Sequence, residues 1–332
     1  MEGKKGMFLV TGAAGFIGSN LVASLNHAGV SDIVINDTLG KDERWRNLSK
    51  RHFTDFVPPA DLWRWLEDRK LDAVVHLGAI SDTTIRDADL TMEVNFRLSL
   101  RLADWCTATR TRFLYASTAA TYGDGSNGFS DEWTVEALRK LRPLNLYGWS
   151  KHCFDLVMAG RYASRKKLPP QWAGLKFFNV YGPNEYHKGA QASIIAKVCK
   201  IAQSGNAVSL FKSYHPDFAD GDQARDFIYV EDAVRVVEWL LSTPTVSGIF
   251  NVGTGRAESF KYLVAYLFAG LDREPNIDYV DMPEQIRSQY QYFTQADQRR
   301  LREAGYSAEF MAPEQAVTRY VKDYLVKDDR YR

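Results

Sequence analysis

The 332-residue sequence predicts an α/β fold, with a doubly wound parallel sheet and a second, smaller α/β lobe interleaved at the C-terminal end. Two observations lead to this prediction. Short runs of β-branched and other apolar residues alternate with longer amphipathic stretches, which is the order of strands and helices in α/β proteins. The runs are apolar at nearly every position, as expected for strands that helices cover on both faces.

The individual elements follow from this alternation. Strands are predicted over residues 7–10, 33–36, 73–76, 113–116, 175–179 and 248–253. Amphipathic helices are predicted over residues 19–28, 61–66, 192–203 and 229–241. A polar loop rich in Asp, Gly and His covers residues 213–224, and a loop of this length in a compact chain is more often functional than idle.

The regular alternation fades after Gly182, which predicts that two lobes share the chain. We expect a dinucleotide-binding domain and a substrate lobe, with the substrate bound between them. The expected bounds are 7–180 with 228–255 for the dinucleotide-binding domain, 181–227 with 256–325 for the substrate lobe, and 1–6 for an extension or a tag.

The composition excludes several classes of function. The formal net charge is +1, with 45% hydrophobic and 25% charged residues, so no global field attracts the chain to nucleic acid or to an anionic membrane. The three cysteines are widely spaced and the six histidines are scattered, a pattern that predicts neither a disulfide framework nor a metal site. We therefore expect a cytoplasmic enzyme that acts on a small molecule without a metal.

A glycine-rich loop follows the first predicted strand and opens the first predicted helix. Gly12, Gly15 and Gly18 permit a tight turn, close approach of a pyrophosphate and close helix packing, which is the pattern of a Rossmann dinucleotide site. Asp37, at the end of the next strand, suits a ribose hydroxyl and favours NAD, whereas Arg44 suits the 2′-phosphate of NADP. We predict NADP with Arg44 as the main phosphate partner, and NAD is the alternative.

Tyr147 and Lys151 are the candidate catalytic pair. Positions i and i+4 share one helix face, so the Lys151 ammonium is expected beside the Tyr147 phenol, where its charge favours the phenolate. An unperturbed tyrosine, with a pKa near ~10, does not act as a base at neutral pH. Together with the glycine loop, the pair predicts a nicotinamide-dependent active site.

Further motifs carry a family resemblance. In the N-terminal half they are Gly12-x-x-Gly15-x-x-Gly18, His76-Leu-Gly-Ala-Ile-Ser81, Asn95, Tyr115-Ala-Ser-Thr118-Ala-Ala-Thr-Tyr122-Gly and Tyr147-x-x-x-Lys151. With them, this half resembles the extended short-chain dehydrogenases/reductases. The second half adds Phe178-Asn-Val-Tyr-Gly-Pro-Asn-Glu-Tyr-His-Lys188-Gly, Arg225-Asp-Phe-Ile-Tyr-Val, Gly248-Ile-Phe-Asn-Val-Gly-Thr-Gly-Arg256 and Tyr290-Gln-Tyr-Phe-Thr-Gln-Ala-Asp297. With these motifs, nearly the whole chain resembles the ADP-L-glycero-D-manno-heptose 6-epimerases of that family.

The resemblance assigns roles to the matching positions. Thr118 takes the place of the catalytic hydroxyl residue, beside Tyr147 and Lys151, and Lys188 lies in the active site. The residues that would contact the cofactor are Gly12, Gly15, Phe16, Ile17, Gly18, Asp37, Thr38, Arg44, Leu77, Gly78, Ala79, Ile80, Ser81, Asn95, Lys151 and Val180. Those that would contact the nucleotide sugar are Asn179, Ala190, Lys197, Phe211, Arg225 and Tyr290. The planar guanidinium of Arg225 suits a diphosphate.

The substrate lobe departs from the enzymes it resembles. They carry a serine two residues after the active-site lysine and a histidine further along that helix, where this chain has Ala190 and Lys197. The loop over residues 213–224 is also longer than in the best-known members. These differences concern recognition of the sugar and leave the cofactor half unchanged.

The implied reaction inverts C6″ of ADP-glycero-manno-heptose, for lipopolysaccharide core supply. Bound NADP accepts hydride to give a 6″-ketone and returns it to the opposite face, while Tyr147 removes the hydroxyl proton and Thr118 hydrogen-bonds the reacting oxygen. Rotation of the exocyclic C6″ group moves that oxygen away from Tyr147, so a second proton donor is useful. Lys188 is the candidate, with diphosphate binding as its alternative role. The resemblance also implies a homo-oligomer, and a pentamer is one form.

Two other functions fit part of the pattern. Another epimerase of this family, such as a UDP-hexose 4-epimerase, would use the same Tyr147 and Lys151. A non-catalytic NADP sensor would keep the glycine loop but would not need Thr118, Tyr147 and Lys151 together. A 4,6-dehydratase is disfavoured because Ala119 and Ala120, and not an acidic pair, follow Thr118.

Overall fold

The structure is a computed structural model that describes residues 6–287 and 290–332. The predicted extension at residues 1–6 lies outside the described residues, apart from Gly6. In chain order the strands are β1 (Phe8–Thr11), β2 (Ile33–Asn36), β3 (Asp55–Val57), β4 (Ala73–His76), β5 (Arg112–Thr118), β6 (Trp172–Phe177), β7 (Asn179–Tyr181), β8 (Val208–Phe211), β9 (Ala224–Tyr229), β10 (Gly248–Val252), β11 (Ala257–Ser259) and β12 (Ile277–Val280).

Helices alternate with these strands. They are α1 (Phe16–His27), α2 (Leu62–Leu66), α3 (Ala88–Met92), α4 (Leu98–Thr109), α5 (Val135–Leu138), α6 (Leu146–Ala163), α7 (Ile194–Gln203), α8 (Val230–Ser242), α9 (Phe260–Gly270), α10 (Glu284–Arg287), α11 (Arg299–Glu303) and α12 (Pro313–Tyr320). Three 3-10 turns lie near the carboxyl ends of the main strands or in the second unit: Glu43–Leu48, Ala119–Tyr122 and Tyr186–Gln191. Within the described ranges, no helix is long and apolar enough to cross a membrane, and no three His, Cys, Asp or Glu side chains group to hold a metal ion.

The main sheet is parallel throughout, with seven strands in the order β3-β2-β1-β4-β5-β6-β10. This confirms the predicted doubly wound parallel sheet. The strand order reverses at β1 and β4, and at such a switch point the carboxyl ends of the strands leave a crevice for a ligand. The predictions for β2 and β4 match residue for residue, and those for β1, β5 and β10 differ only at their ends.

The predicted strand over residues 175–179 is wrong, because it is divided between two sheets. β6 belongs to the main sheet, whereas β7 belongs to a three-stranded sheet with β9 and β11. Phe178 makes the crossing: its amide donates to the Val252 carbonyl at 3.0 Å, and its carbonyl accepts from the Val180 amide at 2.8 Å. The sequence does not reveal such a change of sheet, since the buried run of Leu175, Lys176, Phe177 and Phe178 continues up to the crossing without a break.

Buried apolar residues form three clusters. On β1, Val10 packs with α1 and α8 on one face of the main sheet, and Leu9 packs with α4 and α6 on the other. The third cluster lies among β7, β8, β9, α7, α9 and α12. These later elements also form the small sheets β7-β9-β11 and β8-β12. A second α/β unit with its own core thus accompanies the main sheet. The predicted bounds of the dinucleotide-binding domain and the substrate lobe stay a prediction.

Candidate active site

A cavity of about 1020 Å³ lies at the carboxyl ends of β1, β4, β5 and β6. The residues that follow or end these strands form one wall, and Lys188, α7 and β8 contribute to the other. Small-molecule sites usually have volumes of about 300–1,000 Å³, so this cavity is at the upper end of that range.

The glycine loop forms the floor of the cavity beside α1. Gly12 has φ +68°, and a Cβ there would lie 2.5 Å from the Gly78 amide nitrogen, so the loop leaves no space for a larger residue. Gly15 precedes α1 and provides no side-chain cap, which leaves the amides of the first turn for a ligand. Since the positive end of the helix dipole favours anions, these residues fit the pyrophosphate of a dinucleotide.

Asp37 and Arg44 lie together at one end of the cavity. The Asp37 carboxylate accepts hydrogen bonds from the amides of Ala14 (2.8 Å) and Thr38 (2.7 Å). Burial raises the pKa of Asp37, and these amides oppose the rise. The Arg44 guanidinium forms an ion pair with the Asp42 carboxylate at 3.0 Å and donates a hydrogen bond to the Thr38 carbonyl at 3.4 Å. Thr38, predicted to contact the cofactor, does not line the cavity and acts instead through its backbone.

A glycine allows the catalytic helix to approach the end of β5. Asn145 caps α6, its side chain accepting from the Gly148 amide at 2.8 Å. A Cβ on Gly148 would lie 2.8 Å from the Ala120 carbonyl oxygen in the turn after β5. The first turn of α6 therefore packs directly against that turn.

Thr118, Tyr147 and Lys151 all line the cavity as a result. Burial raises the pKa of Tyr147, and a hydrogen bond with the Thr118 side chain lowers it. Burial lowers the pKa of Lys151 to about 8, with the Asp155 carboxylate opposing this shift. The sequence predicts that Lys151 favours the Tyr147 phenolate, but in the structure desolvation has the larger effect and disfavours the anion.

Arg225 lies behind the opposite wall. Its guanidinium carbon is 5.4 Å from the ring centre of Tyr290 and 6.0 Å from that of Phe260, and both rings line the cavity. Burial lowers the pKa of Arg225 to about 10. Arg225 itself does not line the cavity, and neither does Ala190, whose carbonyl accepts from the Lys197 ammonium at 3.5 Å. The predicted contacts of these two residues with the sugar therefore stay predictions, since the rings of Tyr290 and Phe260 line the cavity where Arg225 does not.

Lys188 faces the glycine loop from the second unit. Its ammonium lies 5.2 Å from the ring centre of Phe16, the first residue of α1. Burial lowers the pKa of Lys188, the Glu185 carboxylate opposes this, and the nearby charge of Lys197 adds to it. The predicted contacts Asn179, Val180, Lys197, Phe211 and Tyr290 also line the cavity.

Comparison with known proteins assigns the family. The model of the NAD dependent epimerase/dehydratase family matches residues 8–253. The chain belongs to this family. An ADP-L-glycero-D-manno-heptose-6-epimerase of Nitratidesulfovibrio vulgaris is 51% identical over 328 residues, which cover 97% of this chain and 99% of the relative. Its namesake from Fusobacterium nucleatum is 43% identical over 98% of this chain and 100% of the relative.

Solved structures of the family have the same fold. The crystal structure of Helicobacter pylori ADP-L-glycero-D-manno-heptose-6-epimerase is 25% identical, with a TM-score of 0.78 over 97% of this chain and 98% of that one. Thermus thermophilus UDP-glucose 4-epimerase, in a complex with NAD, is 25% identical with a TM-score of 0.73, over 95% and 98% of the two chains. These findings confirm the predicted resemblance and the Rossmann-like sheet.

Asn95, which the resemblance predicts to contact the cofactor, does not line the cavity, and that contact stays a prediction. It is fully buried, and its side chain accepts from the Ile80 amide at 2.8 Å and donates to the Ile80 carbonyl at 2.9 Å. It also donates to Ser150 Oγ at 3.0 Å, and Ser150 in turn donates to the Tyr147 carbonyl at 2.7 Å. Asn95 thus ties the loop after β4 to α6, the helix that carries Tyr147.

Sequence reasoning missed other residues of the cavity. Gln191 donates to Asp82 at 3.2 Å and so connects the two walls, and neither residue carried a recognisable sequence signal. His187 and Phe178 lie inside a motif that the family resemblance uses, so that motif was the available signal. Further lining residues are Ser117, Phe177, Ser193, Gln223, Phe227 and Phe260.

Proposed function

We propose that this member of the family is an ADP-glycero-manno-heptose 6-epimerase that inverts C6″ and supplies heptose for the lipopolysaccharide core. The observation that supports this most strongly is one cavity whose lining includes Thr118, Tyr147 and Lys151 together with the glycine loop and Lys188. Two curated relatives, 43% and 51% identical over almost their full length, are named for this activity.

The site fits a nicotinamide dinucleotide, which supplies a reversible hydride acceptor when bound. We propose NADP as the cofactor. Arg44 supports this choice, because its guanidinium lines the cavity beside Asp37 while Asp42 and the Thr38 carbonyl hold it in place. A planar guanidinium in this position suits the 2′-phosphate.

The chain's own residues move the protons. Tyr147 takes the C6″ hydroxyl proton, Thr118 hydrogen-bonds the same oxygen, and the Lys151 cation stabilises the phenolate while the tyrosine is ionised. C6″ is exocyclic, so rotation about its bond to the ring presents the other face of the trigonal carbon to the nicotinamide. That rotation carries the oxygen toward Lys188, whose pKa burial lowers, which makes its ammonium a stronger acid than that of an exposed lysine.

The second unit holds the nucleotide sugar. Asn179, Lys197, Phe211 and Tyr290 line the cavity, and Arg225 adds positive charge behind the aromatic wall. We also propose a homo-oligomer, with the pentamer as one form, in the cytoplasm.

Incubation of the purified protein with ADP-D-glycero-β-D-manno-heptose tests this function. NMR of the C6″ configuration follows the reaction, with a panel of UDP-hexoses in parallel. Conversion of the ADP-heptose alone supports the proposal. Turnover of a UDP-hexose in its place would keep the family and the Tyr147 chemistry but assign a different sugar.

A further inference from the structure

A buried ion pair lies beneath the catalytic residues. The Lys176 ammonium is 3.0 Å from the Asp155 carboxylate, and both side chains are fully buried. Asp155 follows Lys151 by four residues and Tyr147 by eight, so the three share one face of α6. Lys176 lies on β6, whose parallel neighbour β5 ends at Thr118. The pair therefore joins the two elements that carry the catalytic side chains.

Each member of the pair also bonds to residues of β5 or the turn that follows it. The Asp155 carboxylate accepts from the Tyr115 hydroxyl at 3.0 Å and from the Ser117 hydroxyl at 2.7 Å, which ties α6 to β5. The Lys176 ammonium donates to Thr121 Oγ1 at 2.6 Å, which ties β6 to the 3-10 turn.

This network reaches Thr118 from both sides. Thr121 Oγ1 donates to the Thr118 carbonyl at 2.9 Å, and Ser117 precedes Thr118 on the strand. The Lys176 ammonium also lies 4.9 Å from the ring centre of Tyr122, so Asp155, Thr121 and Tyr122 all contact it.

We propose that Asp155 and Lys176 are positioning residues for the reaction: their ion pair fixes Tyr147 and Lys151 relative to Thr118, and the Asp155 carboxylate places a negative charge beside the Lys151 ammonium. This inference rests on the proposed function. A buried ion pair is weak support for stability, because two apolar residues of similar volume often replace one without loss. The reaction requires precise spacing of Tyr147, Lys151 and Thr118, and this requirement explains why a buried ion pair joins α6 to β6.

The electrostatic contacts of Lys151 agree with this role. Burial lowers its pKa to about 8 and Asp155 opposes the change. The other titratable group shown to interact with Lys151 is His76, at the end of β4, and burial lowers the pKa of His76 to about 3. Tyr115, Tyr122, His152 and Lys176 face Asp155. His76 is therefore neutral near pH 7, and Asp155 is the charge that favours the Lys151 cation.

The first test separates positioning from stability with Asp155→Asn, Lys176→Met and the double variant. Each single variant leaves one buried charge unpaired and lowers Tm, whereas the double variant removes both charges and recovers much of that loss. We expect kcat of the double variant to stay about 10- to 100-fold below wild type because the reacting groups are misplaced, with KM nearly unchanged. Lys176→Arg, which keeps the charge, should retain more activity than Lys176→Met.

The pH profile of kcat gives the second readout. Activity falls at alkaline pH as Lys151 loses its proton, and Asp155→Asn should move this limb to lower pH because the carboxylate no longer favours the ammonium. Lys176→Met should move the limb to higher pH, since the Asp155 charge is no longer neutralised. Loosened packing alone would not move the alkaline limbs of these two variants in opposite directions.

Asp232→Asn serves as the matched control. Asp232 is also a fully buried helical carboxylate, paired with Arg235 at 2.8 Å, but it lies on α8 outside the cavity lining. This variant should lose stability and keep the kcat and the alkaline limb of wild type.

Recovery of wild-type kcat and pH profile in the double variant would overturn the proposal, as would shifts of both single variants in the same direction. If wild-type protein converts no nucleotide sugar, the proposed function fails while this inference is still tested. The pKa of Lys151 is then measured by NMR in lysine-labelled protein, with Lys151→Met to assign the signal. A lower pKa in Asp155→Asn and a higher one in Lys176→Met support the proposal, and unchanged values contradict it.

Discussion

The surroundings of the Tyr147 hydroxyl disfavour its ionisation. Burial raises its pKa, and the hydrogen bond with Thr118 offsets only part of that rise. The pKa of Lys151 is lowered to about 8, so Lys151 is mainly cationic only at a pH below that value. A nearby cation lowers the energy of a phenolate, so the catalytic form of Tyr147 depends on the protonation of Lys151.

The two proposed proton donors can be separated by substitution. Tyr147→Phe and Lys188→Met should each abolish epimerisation of the ADP-heptose, because each removes the group that serves one orientation of the oxygen. Both variants should retain partial redox exchange with a ketone analogue, measured by absorbance of the reduced cofactor. Full epimerase activity in Lys188→Met would eliminate its role as a second donor.

Arg44 should set the preference for the phosphate-bearing cofactor. Arg44→Ala should weaken NADP binding by about 10- to 100-fold, the effect of losing a hydrogen-bonded charge, and leave NAD binding nearly unchanged. Arg46→Ala is the control, because Arg46 lies in the same turn but pairs with Glu43 and does not line the cavity. Equal NADP dissociation constants for Arg44→Ala and wild type, by calorimetry, would contradict this assignment.

At the scale of elements, the site depends on how closely α6 packs against the turn after β5. Gly148 permits the approach, since a Cβ there would lie 2.8 Å from the Ala120 carbonyl oxygen. Gly160, on the same helix, has no atom within 4 Å of the corresponding position. The same substitution therefore has opposite consequences at the two positions.

Gly148→Ala should destabilise the protein by about 1–3 kcal/mol through overpacking. It should also lower kcat by about tenfold or more, because α6 must shift away from Thr118. Gly160→Ala should instead stabilise the protein by about 0.5–1 kcal/mol, the helix propensity of alanine, without a change in kcat. Urea unfolding and steady-state kinetics measure both, and a Gly148→Ala variant with wild-type kcat would show that the close contact is unnecessary.

The elements differed in how far the sequence predicted them. The glycine loop and the strands β1, β2, β4, β5 and β10 have local signals, in apolar runs and fixed spacings, and they were predicted well. The strands β7, β8, β9, β11 and β12 all belong to the two small sheets, where the regular alternation of strands and helices no longer marks them. The Asp155 and Lys176 pair depends on the adjacency of β5 and β6, which no local spacing reveals.

At the scale of the whole molecule, Arg332 joins parts of the chain that are distant in sequence. Its guanidinium donates to Asn20 Oδ1 at 3.2 Å and to Ser24 Oγ at 3.1 Å on α1, the helix that follows the glycine loop. Its amide donates to Asn184 Oδ1 at 3.0 Å, four residues before Lys188. Arg332 therefore links α1, beside the glycine loop, to the segment that carries Lys188, the proposed second proton donor.

Arg332→Ala should lower the free energy of unfolding by about 1–2 kcal/mol, because it removes charge-assisted hydrogen bonds that are partly buried. It should also speed the loss of bound cofactor during gel filtration, since α1 and the Lys188 segment are no longer joined. Lys322→Ala removes an exposed ion pair with Asp272 and should change stability by less than about 1 kcal/mol. Equal cofactor retention in Arg332→Ala and wild type would contradict the proposed link.

The most direct test of the central claim uses ADP-D-glycero-β-D-manno-heptose with deuterium on C6″, incubated in ordinary water without added cofactor. NMR and mass spectrometry then report the configuration and the deuterium content of C6″. The account predicts the L-glycero epimer with its deuterium retained, because the same hydride leaves and returns within one site. Inversion with loss of deuterium to solvent would contradict it, since that result requires removal of C6″ hydrogen as a proton.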